Sequence, residues 1–186
     1  MKKVVIVFGL ISGVISSVLM FLTLPLIKNG TINFDNGEIF GYTAIFLSFL
    51  LVFFGIRSYR ENAGGTISFG RAFSVGILIT LISSLFYVAS WEIIYFKVMP
   101  DFARGHIAKY AAHSVETMRA KGATDAAIAA KKAEMVKMTA MLENPLLNSA
   151  MTFIEPFPVG LIVTLVSAGV LRRRRVAPAA TVAQAF

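Results

Sequence analysis

The sequence predicts an all-α integral membrane protein, a four-helix bundle with a helical hairpin inserted between its third and fourth transmembrane helices. Four apolar stretches, at about 4–27, 39–56, 72–96 and 146–171, are each long or nearly long enough to cross roughly 30 Å of hydrocarbon at about 1.5 Å per residue. Basic residues gather at alternate connections between them and end in the run Arg172-Arg173-Arg174-Arg175. Composition agrees, since 56% of the 186 residues are hydrophobic and 16 are Phe, more than a water-soluble core can hide.

The formal charge of +8 lies at span ends and forms no basic stripe interleaved with aromatics. Its expected counterparts are the lipid bilayer and anionic headgroups at the cytoplasmic face, with no role for nucleic acid. With no cysteine, disulfides, thiolate nucleophiles and Cys-based metal sites are excluded.

The first span follows Lys2 and Lys3. It is too long for a signal-peptide core and lacks an Ala-x-Ala site, so a retained helix is expected. The second runs to Ile56, with Tyr42 and Arg57 as anchors, and lies near the lower length limit for a span. The third carries Trp91 and Tyr95 at its far end, where aromatic side chains favour the interface. A fourth lies between Leu146 and Leu171, and Pro156 and Pro158 suggest that it restarts there.

Lys2, Lys3, Arg57, Arg60, Arg71 and the arginine run all fall on one side. The positive-inside rule makes that side cytoplasmic and predicts a multi-pass membrane protein with both termini inside. The segment at 97–145 then faces outward. Ile107, Ala111, Val115 and Met118 recur at helical spacing before Gly122, and Ile128, Met135, Met138 and Leu142 follow the cap candidates Thr124 and Asp125. These helices form a hairpin, lie on the membrane, or lengthen the adjoining spans. Residues 1–175 read as one membrane domain, and 176–186 as a disordered tail.

Small residues recur four apart at Gly9 and Gly13, at Gly76, Thr80 and Ser84, and at Gly160, Thr164 and Ala168. Each set shares a helix face suited to close packing in lipid, within the bundle or, for Gly9 and Gly13, across a dimer.

Two acids lie in or near the spans, Glu92 and Glu155. Both are placed near the outer end of the bundle. As neighbours they form an ion or proton site; as separate interfacial acids they are solvated or paired with loop bases such as Lys97. His106 and His113 are about 10 Å apart along a helix, too far to chelate one metal. Met135, Met138 and Met141 fit helix packing better than a copper site. No His-Glu-x-x-His, phosphate-cradling glycine loop or Gly-x-Ser-x-Gly occurs, so no enzyme activity, metal or cofactor is expected.

The most distinctive local sequence is the inner loop, with Tyr59-Arg60-Glu61-Asn62, then Gly64-Gly65, then Ile67-Ser68-Phe69-Gly70-Arg71-Ala72-Phe73. Together with Phe96 and Pro100-Asp101-Phe102, these residues resemble the bacterial membrane protein family called domain of unknown function 4199. The resemblance runs from the first span to the fourth. It implies an inner-membrane protein of several helices and transfers no catalytic or binding residue. By its own chemistry the loop either holds lipid phosphates or, through Arg57, Tyr59, Arg60, Glu61 and Arg71, docks a protein partner. The favoured function is a noncatalytic scaffold, assembly or regulatory partner of another envelope component, with a membrane protein partner or a homo-oligomer. The alternative is a small cation- or proton-linked transporter or channel-like oligomer that uses Glu92 and Glu155.

Overall fold

A computed structural model describes residues 1–33, 36–98 and 100–172, with backbone alone at 101–104, 106 and 107. Arg173, Arg174 and Arg175, the tail at 176–186 and the side chain of His106 lie outside the described residues. Every long element is helical: α1 (Lys2–Lys28), α2 (Gly37–Asn62), α3 (Phe69–Ile93), a π-helical turn (Ile94–Val98), α4 (Pro100–Ala120), α5 (Asp125–Glu143), α6 (Pro145–Ile154) and α7 (Pro156–Leu171). Four apolar stretches, Lys2–Lys28, Gly37–Asn62, Phe69–Val98 and Pro145–Leu171, are long enough to cross a membrane. The chain is an all-α membrane protein.

The helix ends follow local chemistry. Ser68 caps α3 by accepting from the Arg71 N–H at 3.4 Å, and Thr124 caps α5 by accepting from the Ala127 N–H at 3.3 Å. Asn144 accepts from the N–H groups of Leu146 and Leu147 ahead of α6, where Pro145 occupies the first turn. Between α4 and α5, Gly122 adopts φ +75°, the left-handed conformation that ends a helix most cheaply on glycine.

α3 is the hub, packing against α1, α2, α6 and α7. α2 lies between α1 and α7, which do not pack on each other among the described residues. Val5, Ile56, Ile67, Ala72 and Leu171 share one buried cluster, so the start of α1, the α2–α3 loop and the end of α7 meet at one end of the bundle. The small-residue faces point inward. A Cβ built on Gly9 lies 2.9 Å from Ile82 Cβ, one on Gly13 lies 2.7 Å from Phe86 Cβ, and one on Gly76 lies 2.7 Å from Thr164 Cγ2. These contacts spend the Gly9 and Gly13 face within the molecule, between α1 and α3.

Polarity is inverted relative to a water-soluble bundle. Leu22, Ile39, Leu85, Ile162 and Val170 are 59–69% exposed, while Ser12, Ser48, Thr80, Ser83, Asn148 and Thr164 are at most 1% exposed. Lipid tails tolerate leucine on the outside. Hydroxyls must find partners inside, because no water is available in hydrocarbon to satisfy them.

Two elements differ from the expected outline. α2 holds 26 residues, six beyond Ile56, because Arg57 to Asn62 continue the helix past the apolar run. The fourth span is two helices, α6 and α7, which join at Glu155 where Pro156 opens the new helix. The insertion at 97–145 forms a hairpin, with α4 packed on α5 and Ile128 and Met135 each 6% exposed.

Candidate functional site

The site grows from one stripe of α3. Thr80, the pair Ser83 and Ser84, Tyr87 and Trp91 recur at three- to four-residue intervals, so they share a face of the hub helix and point at its neighbours. Thr80 Oγ1 lies 3.1 Å from Thr164 Oγ1 and 3.3 Å from the Gly160 carbonyl. Ser83 Oγ meets Ser12 Oγ at 2.8 Å, and Ser12 also bonds the Ser48 carbonyl at 2.8 Å. Farther along, Ser90 donates to Ser17 at 2.7 Å. Hydroxyls thus stitch α1 and α7 to α3, and α2 to α1 through Ser12.

At the far end of the stripe, the Tyr87 hydroxyl donates to Glu155 Oε2 at 3.0 Å. Glu155 can take this role because it stands at the α6–α7 junction, where its side chain makes no cap bond to the backbone. One step outward, Trp91 Nε1 donates to Asn148 Oδ1 at 3.0 Å. Asn148 is fully buried; its amide donates to the Leu142 carbonyl at 2.8 Å, and Thr152 donates to its oxygen at 3.2 Å. One asparagine therefore fixes α6 against both α3 and the end of α5.

Tyr87, Trp91 and Glu155 border an open cavity of about 470 Å³. Its walls are Tyr87 and Trp91 from α3, Glu38, Tyr42 and Ile45 from α2, Tyr110 from α4, and Glu155. Asn33 and Asn36 shape the rim, with the Asn33 N–H donating to Asn36 Oδ1 at 2.8 Å and Asn36 Nδ2 donating to the Thr31 carbonyl at 3.1 Å. Below the cavity the bundle closes. The gap between Ser16, Ser48, Phe49, Ser83, Tyr87 and Pro156 is too narrow to admit a water molecule.

The two glutamates singled out in the sequence have different surroundings. Glu155 lines the cavity beside Tyr87. Glu92 lies five residues beyond Tyr87 on α3, about 7 Å along the axis. It is not among the lining residues; its hydrogen-bond partner is Ser149 of α6, and its Oε1 is buried without one.

The candidates around the α2–α3 loop also divide. Arg57 and Glu61 form an exposed ion pair at 2.9 Å within α2, and Arg71 is exposed at the start of α3. Tyr59 instead packs on the buried cluster, and Arg60 turns inward with Nη1 3.5 Å from the Leu171 carbonyl. Gly64 and Gly65 both have positive φ, at 82° and 79°, which allows the tight reversal between them. Three of the five side chains thus face outward and two serve the bundle.

The sequence expectations omit Tyr87, Asn148, Glu38 and Tyr110 as site residues and give Trp91 and Tyr42 only as interfacial anchors. One signal for the α3 residues was present in the pattern of hydroxyls at positions 80, 83, 84 and 87, which is one face of a helix. Glu38 and Tyr110 carried no such signal, since their helices reach the cavity only through tertiary packing.

No curated protein and no solved structure matches the chain. A family model does, over residues 7–173, which reaches from the first span to the fourth and takes in the α2–α3 loop and the hairpin. The chain belongs to the family described as protein of unknown function, DUF4199.

Proposed function

We propose that this is a multi-pass bacterial inner-membrane protein with both termini cytoplasmic. It acts without catalysis, as a scaffold, assembly or regulatory partner of another envelope component. One observation carries the reading. The α4–α5 hairpin packs on itself, on the π-helical turn and on α6, and on no other element among the described residues, so it forms an arm held at its base. Along the arm a groove is lined by Ala111, Ala112, Val115, Met135 and Val136, and Val136 is 72% exposed. Exposed apolar surface of this kind beside charged rims, here Glu116, Arg119 and Lys132, suits a protein partner. The closed interior below Tyr87 favours a static bundle over a conducting one.

The cavity beside Glu155 favours the second reading, a small cation- or proton-linked transporter. Four spans are few for such a protein, and the site sits at one end instead of the midplane.

A photo-crosslinking residue placed at Val136 in native membranes tests the first reading. The same envelope protein should be trapped reproducibly from Val136 and not from the lipid-facing Ile162. Equal trapping at both positions, or none at Val136, removes the scaffold. Orientation is tested in the same cells, because the chain has no cysteine. An impermeant maleimide should label Lys121→Cys in intact cells and Glu61→Cys only after lysis.

A further inference from the structure

The cavity at the outer end reverses the charge of the rest of the chain. The protein carries a formal +8, yet Glu38 and Glu155 line this space and no Lys, Arg or His does among the described residues. Four aromatic side chains, Tyr42, Tyr87, Trp91 and Tyr110, share the walls with Ile27, Ile32 and Ile45. Its volume of about 470 Å³ falls in the range of small-ligand sites, about 300–1,000 Å³.

We propose that this cavity binds a small organic ammonium, with Glu155 as counter-ion and the four aromatic rings as its cage. Aromatic faces attract cations through the ring quadrupole, and they do so best for soft, weakly hydrated ammonium groups that need no oxygen shell. An inorganic cation such as calcium requires about six to eight oxygen ligands, a set the aromatic walls do not offer. Two polar groups are already engaged. The Tyr87 hydroxyl is committed to Glu155, and the Trp91 N–H to Asn148, so both rings are held in place before a ligand arrives. Such pre-ordering lowers the entropy lost on binding. Tyr110 belongs to the arm and the other walls to the bundle, so a bound ammonium touches both parts. The inference goes beyond the scaffold reading and does not depend on it.

The ammonium can reach the cavity as a free solute or as a lipid headgroup. Trp91 is the sole tryptophan, so its emission reports on the site directly. The full chain is placed in nanodiscs of phosphatidylglycerol, which carries no amine, and titrated with choline and, separately, with its neutral carbon isostere dimethylbutanol. Choline should give a saturable change in Trp91 emission, and the isostere none. Glu155→Gln, which keeps an oxygen acceptor for Tyr87, should weaken the response about tenfold or more.

A second set of nanodiscs contains phosphatidylethanolamine. Suppression of the choline response there identifies the headgroup as the occupant in membranes, and an unchanged response identifies a free solute. If Glu155→Gln does not fold, Glu38→Gln at the exposed rim carries the same test, with a loss of about threefold expected. The proposal is overturned by the absence of a saturable choline response in phosphatidylglycerol, by an equal response to the isostere, or by unchanged affinity in the variant that folds.

Discussion

Gly13→Ala tests the packing of the bundle at its tightest α1–α3 crossing. The new Cβ would lie 2.7 Å from Phe86 Cβ, about 0.7 Å inside the 3.4 Å at which ordinary contact begins. Phe86 cannot swing aside, because the clash is with the atom bonded to its own backbone. The helices must part instead. Overpacking of this kind costs about 1–3 kcal/mol. In water, alanine would recover up to about 1 kcal/mol through helix propensity. In a bilayer or micelle the separated helices stay helical, so that gain largely vanishes and the clash remains.

Gly9→Ala demands a similar shift of the same helix pair, with its Cβ 2.9 Å from Ile82 Cβ. One separation relieves both clashes, so the double variant should lose little more than Gly13→Ala alone. Gly169→Ala is the control, since nothing lies within 4 Å of its new Cβ. Unfolding by sodium dodecyl sulfate, followed through Trp91 emission, gives the free-energy differences. A Gly13→Ala variant as stable as the parent, or a double variant showing the full sum of two losses, would refute the reasoning. Unaltered bundle stability with a changed oligomeric state would instead return Gly9 and Gly13 to a dimer interface.

Three further outcomes follow from the hydrogen bonds. Asn148→Leu leaves the Trp91 N–H and the Leu142 carbonyl without their partner, and should cost about 1–3 kcal/mol with a shift in Trp91 emission. Stability within error of the parent would sever the link drawn between α6 and α3. Ser12→Ala removes two bonds, to Ser48 and Ser83, and should lose about 0.6–1.7 kcal/mol in the same denaturation assay, the span measured for interhelical bonds in membranes. Ser83→Ala should lose less, because Ser12 keeps the Ser48 carbonyl; the reverse order would contradict the geometry. Arg57→Ala with Glu61→Ala breaks an exposed pair, so a double-mutant cycle should give a coupling below about 0.5 kcal/mol.

Much of the outline was legible in the chain itself. The four apolar runs needed only length and hydropathy, and the turn at Gly122, the cap at Thr124 and the restart at Pro156 each followed from the chemistry of one or two residues. The length of α2 was less legible, because Arg57 to Asn62 are polar yet continue the helix beyond the run that marks the span. The sequence groups Arg57, Tyr59, Arg60, Glu61 and Arg71 around the α2–α3 loop as one lipid- or partner-docking set. Local sequence gave no hint that Arg60 would turn inward toward Leu171, a residue more than a hundred positions away.

The sequence alone determined that this is a helical membrane protein, which ends of the spans are basic, and where the chain turns. These depend on local quantities, namely apolar run length, charge placement and backbone preference. Tertiary structure decided which small faces meet, that α3 is the hub, and that Glu155 joins Tyr87 while Glu92 joins Ser149. It also decided that Glu38 and Tyr110 share a cavity with them. In lipid every apolar face is equally comfortable against the solvent, so hydropathy cannot say which side of a helix turns inward. That choice falls to close contact at glycines and to buried hydroxyls finding partners on other helices.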